Sequence, residues 1–470
     1  MTLPADLVPI SPPTASLGRA FAAAGFELHL VGGSIRDALL GRIAPEADLD
    51  LTTNAHPEQV LSLLEGIAEA TWTTGIDFGT VGARVDGATF EITTFRADRY
   101  DRVSRNPEVS FGDNLADDLM RRDYTMNAMA LSVTGDATFT DLFGGLADLA
   151  RGELRTPATP EESFADDPLR MLRAARFVST LRLRPAPDVL AAMTAMAGEL
   201  ARITAERVQA ELAKLLLGAN PRGGLEVLVN TGLADVILPE LSGLKMTVDE
   251  HGQHKDVYAH TLQVLDQAIA LEDEPDLVLR MAALLHDIGK PATRAFADGG
   301  RVSFHHHEVV GARMARKRLK DLRFSKQVIE DVGQLVFLHL RFYGYRTGEW
   351  TDSAVRRYVV DAGPLLPRLH KLVRSDVTTR NVRKAKALSE AYDTLEARIA
   401  ELQEQEELEA VRPDLDGNEI MRLLEIGPGP LVGKAYKHLL ALRMERGPLD
   451  HETAVEELRR WYANQADVDT

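Results

Sequence analysis

The hydrophobic pattern of this chain changes its period once, near residue 150, and this change constrains the fold more than any other feature. The first 150 residues mix short alternating strand patterns with short helical ones. From about residue 160 the strand patterns fade and helical spacing dominates, as in 162–181 and 205–218. The pattern predicts an α+β, multidomain protein, with a small mixed sheet in a first domain and all-α domains after it.

Turn residues define the elements of the first domain. Residues 28–33 predict a strand that runs into a glycine turn, followed by a short helix that ends at Gly41. Residues 48–53 predict a second strand, and Pro57 opens a helix. The dipeptide Asp86-Gly87 between two strand patterns predicts a tight hairpin. The sheet should therefore be partly antiparallel.

The length of 470 residues suggests about three or four domains. A long charged helix is predicted over 383–410, and the tail from 415 to 465 is helical with an interruption at Gly427–Pro430. The predicted boundaries are 1–150 for an α/β head, 151–250 for a helical neck, 251–382 for a histidine-rich helical domain and 383–470 for a C-terminal helical region.

Composition restricts the chemistry. The chain has no Cys, so a metal must be bound by His, Asp, Glu or backbone oxygen, and a reducing cytoplasm fits. No signal peptide or membrane span is predicted. The net charge of −17 argues against nucleic-acid binding overall. However, residues 301–326 carry eight Lys and Arg against two acidic residues, so a local basic face remains possible. A solvated amphipathic helix is the equal alternative for this run.

A glycine turn at the end of the first strand is a candidate phosphate loop. Gly32 and Gly33 let the backbone approach a phosphate closely, and Ser34 opens the following helix. Arg36 lies one turn further and is able to reach the same anion. Such a turn alone is weak evidence, since it is often purely structural.

Two aspartates strengthen this interpretation. Asp48 and Asp50 follow the loop by about 15 residues and, at i and i+2 of a strand, point to one face. Adjacent carboxylates repel each other and favour a bound cation, as in two-metal phosphoryl chemistry with Mg²⁺. Glu91 on a neighbouring strand is a candidate third catalytic carboxylate.

These residues belong to a longer series of motifs. The chain carries GGSIRD and DLD, and then six further segments in order: FGTV (78–81), EITTFR (91–96), DLMRRDYTMNAMAL (118–131), DLFGGLADL (141–149), DDPLRMLRAARF (166–177) and ARITAERVQAEL (201–212). The series resembles the polymerase β-like nucleotidyltransferases and, more narrowly, the bacterial class II tRNA nucleotidyltransferase and poly(A) polymerase family. The resemblance is close over about residues 28–215.

The resemblance implies site roles. Gly33 and Arg36 would bind a triphosphate, and Asp48 and Asp50 would hold the metals. Asp167 and Arg170 would act as a protein template that selects the amine and acceptor edges of C and A. Asp166 stands where the family often has Glu. The other implied nucleotide-binding residues are Gly32, Ser34, Arg121, Arg122, Arg173 and Arg176.

A set of histidines in the second half predicts another metal site. The order of the candidate ligands resembles metal-dependent HD phosphohydrolases: His260, His286, Asp287, His307, His339 and Asp376. His305 and His306 are alternatives to His307, whose spacing to Gly311 favours it. Imidazole and carboxylate ligands suit several divalent transition metals. The site would hydrolyse cyclic phosphates or phosphomonoesters, or it would be a retained fold that holds RNA.

The leading hypothesis is template-independent addition of CCA to tRNA from CTP and ATP, with release of pyrophosphate. Alternatives in the same class are poly(A) polymerase and an A-only or CC-only enzyme; residues 97–113 are the candidate specificity loop. A different class is an HD phosphodiesterase or phosphatase with a nucleotide-sensing head. A non-catalytic RNA-binding module is disfavoured by two intact sets of metal ligands.

Overall fold

The computed structural model describes residues 7–42, 48–96, 112, 114–245, 256–296, 302–344, 351–378, 381–406 and 412–466. The candidate specificity loop lies almost wholly outside these residues. The chain divides into two compact units, Met1–Ile237 and Leu238–Thr470.

The first unit is built on a mixed sheet of seven strands in the order β3-β4-β5-β2-β1-β6-β7. β2 and β5 are parallel, and the other neighbouring strands are antiparallel. The strands are β1 (Leu28–Val31), β2 (Leu49–Thr53), β3 (Ala70–Trp72), β4 (Thr80–Val85), β5 (Ala88–Thr94), β6 (Met129–Ser132) and β7 (Phe139–Asp141). The predicted small mixed sheet is confirmed.

Turn chemistry positions these strands. Asp86 and Gly87 both have positive φ, 48° and 77°, as a two-residue hairpin turn requires. Leu51, Phe90 and Ile92 bury one face of the sheet in the hydrophobic core of the head. The opposite face is therefore available for polar side chains.

Helices surround the sheet and continue into the neck. Within the described residues of the first unit they are α1 (Pro12–Ala23), α2 (Gly33–Leu39), α3 (Pro57–Leu64), α4 (Leu115–Met120), α5 (Gly145–Arg151), α6 (Pro160–Asp166), α7 (Leu169–Leu181), α8 (Pro187–Met196), α9 (Ala205–Leu216), α10 (Pro221–Asn230) and α11 (Leu233–Ile237). In the same part of the chain, 3₁₀ helices cover Ile76–Phe78, Thr125–Asn127 and Ala197–Arg202. A capping box between Thr159 and Glu162, with Pro160 in the first turn, starts α6.

The second unit is almost entirely helical. Its described helices are α12 (Pro239–Ser242), α13 (Val257–Ala270), α14 (Leu277–Leu285), α15 (Lys290–Thr293), α16 (His307–Asp321), α17 (Lys326–Leu338), α18 (Arg341–Gly344), α19 (Asp352–Ala362), α20 (Leu366–Ser375), α21 (Val382–Glu406), α22 (Gly417–Leu424), α23 (Pro430–Arg446) and α24 (His451–Ala466). A 3₁₀ turn covers Gly363–Leu365.

Two details differ from the sequence-based expectation. The tail has a second interruption at Gly447, whose φ of 84° ends α23, so three helices replace the expected two segments. Short strands also occur after the head. They are β8 (Glu153–Leu154) with β9 (Arg184–Pro185), and β10 (Ala295–Phe296) with β11 (Val302–Ser303). Two-residue strands are too short to produce a periodic pattern. Within the described residues, none of the helices has the length and apolar content to cross a membrane.

Candidate functional site

The sheet brings the three head carboxylates to one face. Asp50 in β2 and Glu91 in β5 are register partners in the parallel pair. Such lateral partners point to the same face, and Asp48, two residues before Asp50, shares it. Asp48 and Glu91 are exposed and Asp50 is partly buried. The predicted carboxylates therefore form one group at the polar face of the sheet.

The glycine turn lies directly against this group. Gly32 has φ 72° and ψ −136°, a conformation that favours glycine. A Cβ at this position would lie 3.4 Å from Asp50 Oδ2 and 3.4 Å from Arg122 Nη1. Gly33 and Ser34 begin α2, and the guanidinium of Arg36 folds back over Gly33. The predicted phosphate loop and the carboxylates are thus one site.

The electrostatics of this site favour a bound cation. Burial raises the pKa of Asp50; Arg122 opposes the rise and Asp48 adds to it. Burial, Asp50 and Asp48 together raise the pKa of Glu91. The ionised carboxylates therefore destabilise one another, which a divalent cation would relieve. The donor set, oxygen only, fits a hard cation such as Mg²⁺.

Arg121 and Arg122 are held by an aspartate that the sequence analysis did not single out. Asp118, fully buried, lies 3.1 Å from Arg121 Nη2 and 3.0 Å from Arg122 Nη2. Thr52 of β2 also donates a hydrogen bond to Asp118 at 3.3 Å. Burial alone would raise the pKa of Asp118, but the two guanidiniums hold it below its ordinary value. The i,i+3 and i,i+4 spacing in DLMRR is the signal that would have revealed this contact.

A hydrogen-bonded chain links α2 to α7. Arg36 Nη1 donates to Asn127 Oδ1 at 2.8 Å, and Asn127 Nδ2 donates to Asp123 Oδ1 at 2.9 Å. Asp123 Oδ2 accepts from Arg173 Nε at 2.7 Å. Arg36 also donates to Asp37 through Nε and Nη2. Asp123 therefore orders its segment, and sequence reasoning missed the role of Asn127.

The residues implied as a base-reading pair occupy the junction of α6 and α7. Asp167 accepts hydrogen bonds from the Leu169 amide and from Arg207 Nη2, the latter at 2.7 Å. Arg170 donates to the Ser163 hydroxyl at 2.8 Å and to the Arg121 carbonyl. Both side chains thus have protein partners here, and their role in base selection stays a prediction.

The remaining two arginines of α7 lie around a buried ring. The guanidiniums of Arg173 and Arg176 are 5.8 Å and 4.0 Å from the centroid of Phe177, and Arg36 is 5.5 Å from it. Arg176 also pairs with Glu211 of α9 at 2.5 Å. Three of the predicted nucleotide-binding arginines therefore lie around the ring of Phe177.

The second unit brings all six predicted HD ligands together. Their ligand atoms form two groups whose members all lie within 4.8 Å of one another, namely His260, His286 and Asp376, and Asp287, His307 and His339. Asp287 joins the groups, since its Oδ2 is 3.4 Å from His260 Nε2 and 3.2 Å from His286 Nε2. His305 and His306 are exposed, which favours His307 as the middle ligand.

The imidazoles are oriented as metal ligands are. His286, His307 and His339 direct Nδ1 at the backbone carbonyl three residues earlier, at 2.8, 2.8 and 2.6 Å. This contact leaves Nε2 as the ligand atom. Nε2 of His307 and of His339 is buried without a well-formed hydrogen bond among the described residues, although His307 Nε2 lies 3.3 Å from Asp287 Oδ1. Buried polar atoms are rarely left so, and a metal would satisfy both.

Charge at this centre also favours a cation. Burial lowers the pKa of His339 to about 3, with His286 and His307 contributing. Burial acts the same way on His286, but Asp287 and Asp376 raise its pKa. The two carboxylates thus stabilise positive charge in this centre, and the residues fit a divalent transition metal.

Gly289 allows two backbone segments next to the histidine centre to approach each other closely. A Cβ there would lie 2.2 Å from the His307 carbonyl oxygen and 2.7 Å from the Gly311 amide nitrogen. Lys290, next in sequence, contacts Asp287 Oδ2 at 2.7 Å. Sequence reasoning missed Lys290 and also Thr378, whose hydroxyl is 3.0 Å from His260 Nδ1.

Three family models match the chain. They are the poly A polymerase head domain over residues 28–155, a model described as the probable RNA and SrmB-binding site of polymerase A over 182–244, and the HD domain over 257–403.

Similar proteins and solved structures agree with these family models. An A-adding tRNA nucleotidyltransferase from Deinococcus radiodurans is 35% identical over 88% of this chain and 91% of its own. A CCA-adding enzyme from Levilactobacillus brevis is 44% identical over 45% of this chain, a match that spans 51% of that enzyme. The crystal structure of the Bacillus stearothermophilus CCA-adding enzyme in complex with CTP has a TM-score of 0.67 at 25% identity, covering 99% of this chain and 100% of that one.

Proposed function

Because the chain belongs to the bacterial tRNA nucleotidyltransferase and poly(A) polymerase family, we propose that it adds C, C and A to the 3′ end of tRNA, using CTP and ATP, in the cytoplasm. The observation that carries the proposal is the contact of the glycine loop with the carboxylate group, in which Gly32 lies against Asp50 and Arg122. A triphosphate bound at this loop would place its phosphates beside the three carboxylates.

The reaction joins the tRNA 3′-hydroxyl to the α-phosphate of the nucleotide and breaks the bond to pyrophosphate. Asp48 and Asp50 would hold two Mg²⁺ ions, which when bound activate the hydroxyl and neutralise the leaving pyrophosphate. Gly33 and Arg36 would bind the triphosphate, and Arg122 Nη1 lies beside Gly32 of the same turn. Arg36 would have to exchange part of its contact with Asp37 and Asn127 for a phosphate.

Base selection is assigned to the α6–α7 junction. Asp167 would accept a hydrogen bond from the exocyclic amine of C or A, and Arg170 would donate to the adjacent ring acceptor. G and U present a different pattern at these positions. Since Asp167 is paired with Arg207 and Arg170 with Ser163, these contacts must open when a base enters.

The Deinococcus radiodurans relative favours one alternative, the addition of A alone. The test is primer extension on labelled tRNA that ends before CCA, after C or after CC, with CTP and ATP given singly and together. CCA addition predicts extension of all three substrates to the same end. Extension of only the CC-ended tRNA would establish A-only addition, and long A tails would establish poly(A) synthesis. An Asp50→Ala variant is the control for contaminating activity.

The histidine centre supports a second function. The buried Nε2 atoms of His307 and His339 support a bound metal. We propose that the centre is a metal-dependent phosphohydrolase that acts on 2′,3′-cyclic phosphates at RNA ends. Hydrolysis adds one water: a P–O bond forms to the water oxygen, and one ester P–O bond breaks to leave a hydroxyl. A divalent transition metal held by the six ligands would supply the activated water.

Hydrolysis of 2′,3′-cyclic AMP, with and without added Mn²⁺, Ni²⁺ or Co²⁺, tests this second function. Activity that His286→Ala removes, while Asp50→Ala retains it, supports a separate hydrolytic site. Equal loss in both variants would refute the division into two sites.

A further inference from the structure

The outward face of α16 is a strongly basic surface, and the same helix begins with a residue of the histidine centre. His307, a predicted metal ligand, is the first residue of this helix. Arg313, Lys317 and Lys320 follow at intervals of four and three residues and are exposed. Such intervals place them on one side of a helix. At about 1.5 Å of rise per residue, they lie about 9, 15 and 20 Å along the axis from His307.

The opposite face of α16 has no room for a ligand. Gly311, Ala312, Ala315 and Leu319 are buried there. The helix is therefore fixed in orientation by its small and apolar residues. The three cations have no part in that packing, and they cannot turn inward.

These cations are available to a partner. Within the described part of the chain, Arg313 and Lys320 make no ion pair, and Lys317 pairs with Asp321 at 3.0 Å while remaining 79% exposed. An exposed pair of this kind is worth only about 0.2–1 kcal/mol, so a phosphate is able to replace Asp321. Glu308, near His306, is the other acidic residue of the helix, so the face carries a net positive charge in a chain of net charge −17.

We propose that this face, defined by Arg313, Lys317 and Lys320, binds the phosphodiester backbone of the RNA strand whose 3′ end enters the histidine centre. A row of cations on the helix that begins at the centre would bind successive phosphates of one strand, whereas a mononucleotide at the centre is too short to contact the row. Backbone contact of this kind is independent of sequence and is weakened by salt. The proposal rests on the second proposed function, the hydrolysis of cyclic phosphates.

The test compares two substrates and two triple variants of the full chain. One variant carries Arg313→Gln, Lys317→Gln and Lys320→Gln. The matched control carries Arg383→Gln, Lys384→Gln and Lys386→Gln on α21, which removes the same charge from exposed positions and also breaks one i,i+4 pair, Lys386–Glu390. The substrates are 2′,3′-cyclic AMP and a 12-nucleotide RNA that ends in a 2′,3′-cyclic phosphate.

The α16 variant should raise KM for the RNA about tenfold and leave kcat/KM for 2′,3′-cyclic AMP within twofold. The dependence of log KM on log salt should become shallower by about 2, since each lost phosphate contact removes about 0.7 from the slope for single strands. The α21 variant should behave as wild type. If the α16 and α21 variants have the same KM for the RNA, the proposal is wrong.

If the wild type hydrolyses neither substrate, the second proposed function is wrong. RNA binding by the α16 surface is then tested without hydrolysis, by crosslinking. The same RNA with a single 4-thiouridine placed three nucleotides before its 3′ end is then crosslinked, and the labelled peptides are mapped. Crosslinks to 305–326 that are lost in the α16 variant support the surface. Crosslinks confined to other parts of the chain exclude it.

Discussion

Arg36 Nη1 and Asn127 Oδ1 are joined by a hydrogen bond of 2.8 Å, although the two residues lie 91 positions apart in sequence. Through Asn127 and Asp123, this bond fixes the phosphate-loop arginine relative to Arg173 of α7. The two ends of the predicted nucleotide site are thus aligned by one amide side chain.

Substitution of Asn127 by Ala should therefore weaken nucleotide binding. Arg36 and Asp123 each lose one hydrogen bond, and we expect KM for CTP and ATP to rise about tenfold, with about 1–2 kcal/mol lost from the free energy of unfolding. Steady-state kinetics and urea unfolding measure the two effects. Asn54→Ala removes an exposed hydrogen bond to the Glu27 amide and is the control. An unchanged KM with the same loss of stability would mean that Asn127 is only structural.

Asp50→Asn should abolish nucleotide addition and yet stabilise the metal-free protein. Addition should fall at least about a hundredfold, since a ligand of the transferring metals is lost. The pKa of Asp50 is raised in the folded state, so its ionised form opposes folding at neutral pH. Thermal unfolding in EDTA at pH 7.5 should show a higher Tm for the variant. The difference should shrink as pH falls, because wild-type Asp50 then becomes protonated. A lower Tm at pH 7.5 would contradict this assignment of the charge.

Asp118→Asn should destabilise the head by about 3 kcal/mol or more, because Arg121 and Arg122 lose their buried counter-charge. The pKa of Asp118 is depressed by these arginines. Its contribution to stability is therefore complete above the unfolded value of 3.8 and is lost as pH falls through the lower folded value. Urea unfolding between pH 7 and 3 should show a smaller acid-induced loss in the variant than in wild type. Parallel pH profiles would show that other carboxylates control acid unfolding.

Asp167→Ala should change nucleotide choice more than stability. The Asp167–Arg207 pair is partly exposed, so its removal should alter the free energy of unfolding by about 1 kcal/mol or less. Discrimination against UTP and GTP should fall about tenfold or more, measured by single-nucleotide extension. Arg207→Ala, which removes the partner but keeps the carboxylate, should retain discrimination. If both variants lose it equally, the pair as a whole and not the carboxylate selects the base.

A divalent transition metal should stabilise the second unit through the histidine centre. At a concentration 100 times its dissociation constant, a metal would add about 2.7 kcal/mol to the free energy of unfolding. Differential scanning calorimetry with and without Mn²⁺ or Ni²⁺, together with metal analysis after gel filtration, measures this. His339→Ala should remove the stabilisation and the bound metal, while CCA addition stays near wild type. The exposed His306→Ala is the control, and retention of metal by His339→Ala would exclude that residue as a ligand.

Local patterns were sufficient to predict much of the fold. The strands before Gly32 and around Asp50, and the hairpin at Asp86-Gly87, follow from alternation and turn chemistry within a few residues. The seven-strand order does not, because the parallel pairing of β2 with β5 depends on contacts between segments about 40 residues apart. The second tail interruption, at Gly447 and Pro448, was missed although a Gly-Pro dipeptide is a strong turn signal within a helical pattern.

The site was predictable to the extent that its residues carry a motif. The three head carboxylates and the six candidate HD ligands were predicted from spacing and resemblance; the structure brings each set together, and their roles stay predictions. Their supporting partners were not found. Asn127, Glu211 and Thr378 act through tertiary contacts with residues 91, 35 and 118 positions away, and a sequence pattern contains no such information.

The ligands of the histidine centre extend from His260 to Asp376, and this span has a consequence for how the chain is made. While the ribosome is still synthesising the second unit, Asp287 and the imidazoles emerge first, and Asp376 follows more than a hundred residues after His260. A nascent chain halted before α20 lacks one carboxylate of the predicted centre and would bind a metal through an incomplete set of ligands. Metal capture would therefore mark the completion of this unit during translation, and truncated products would be released without it.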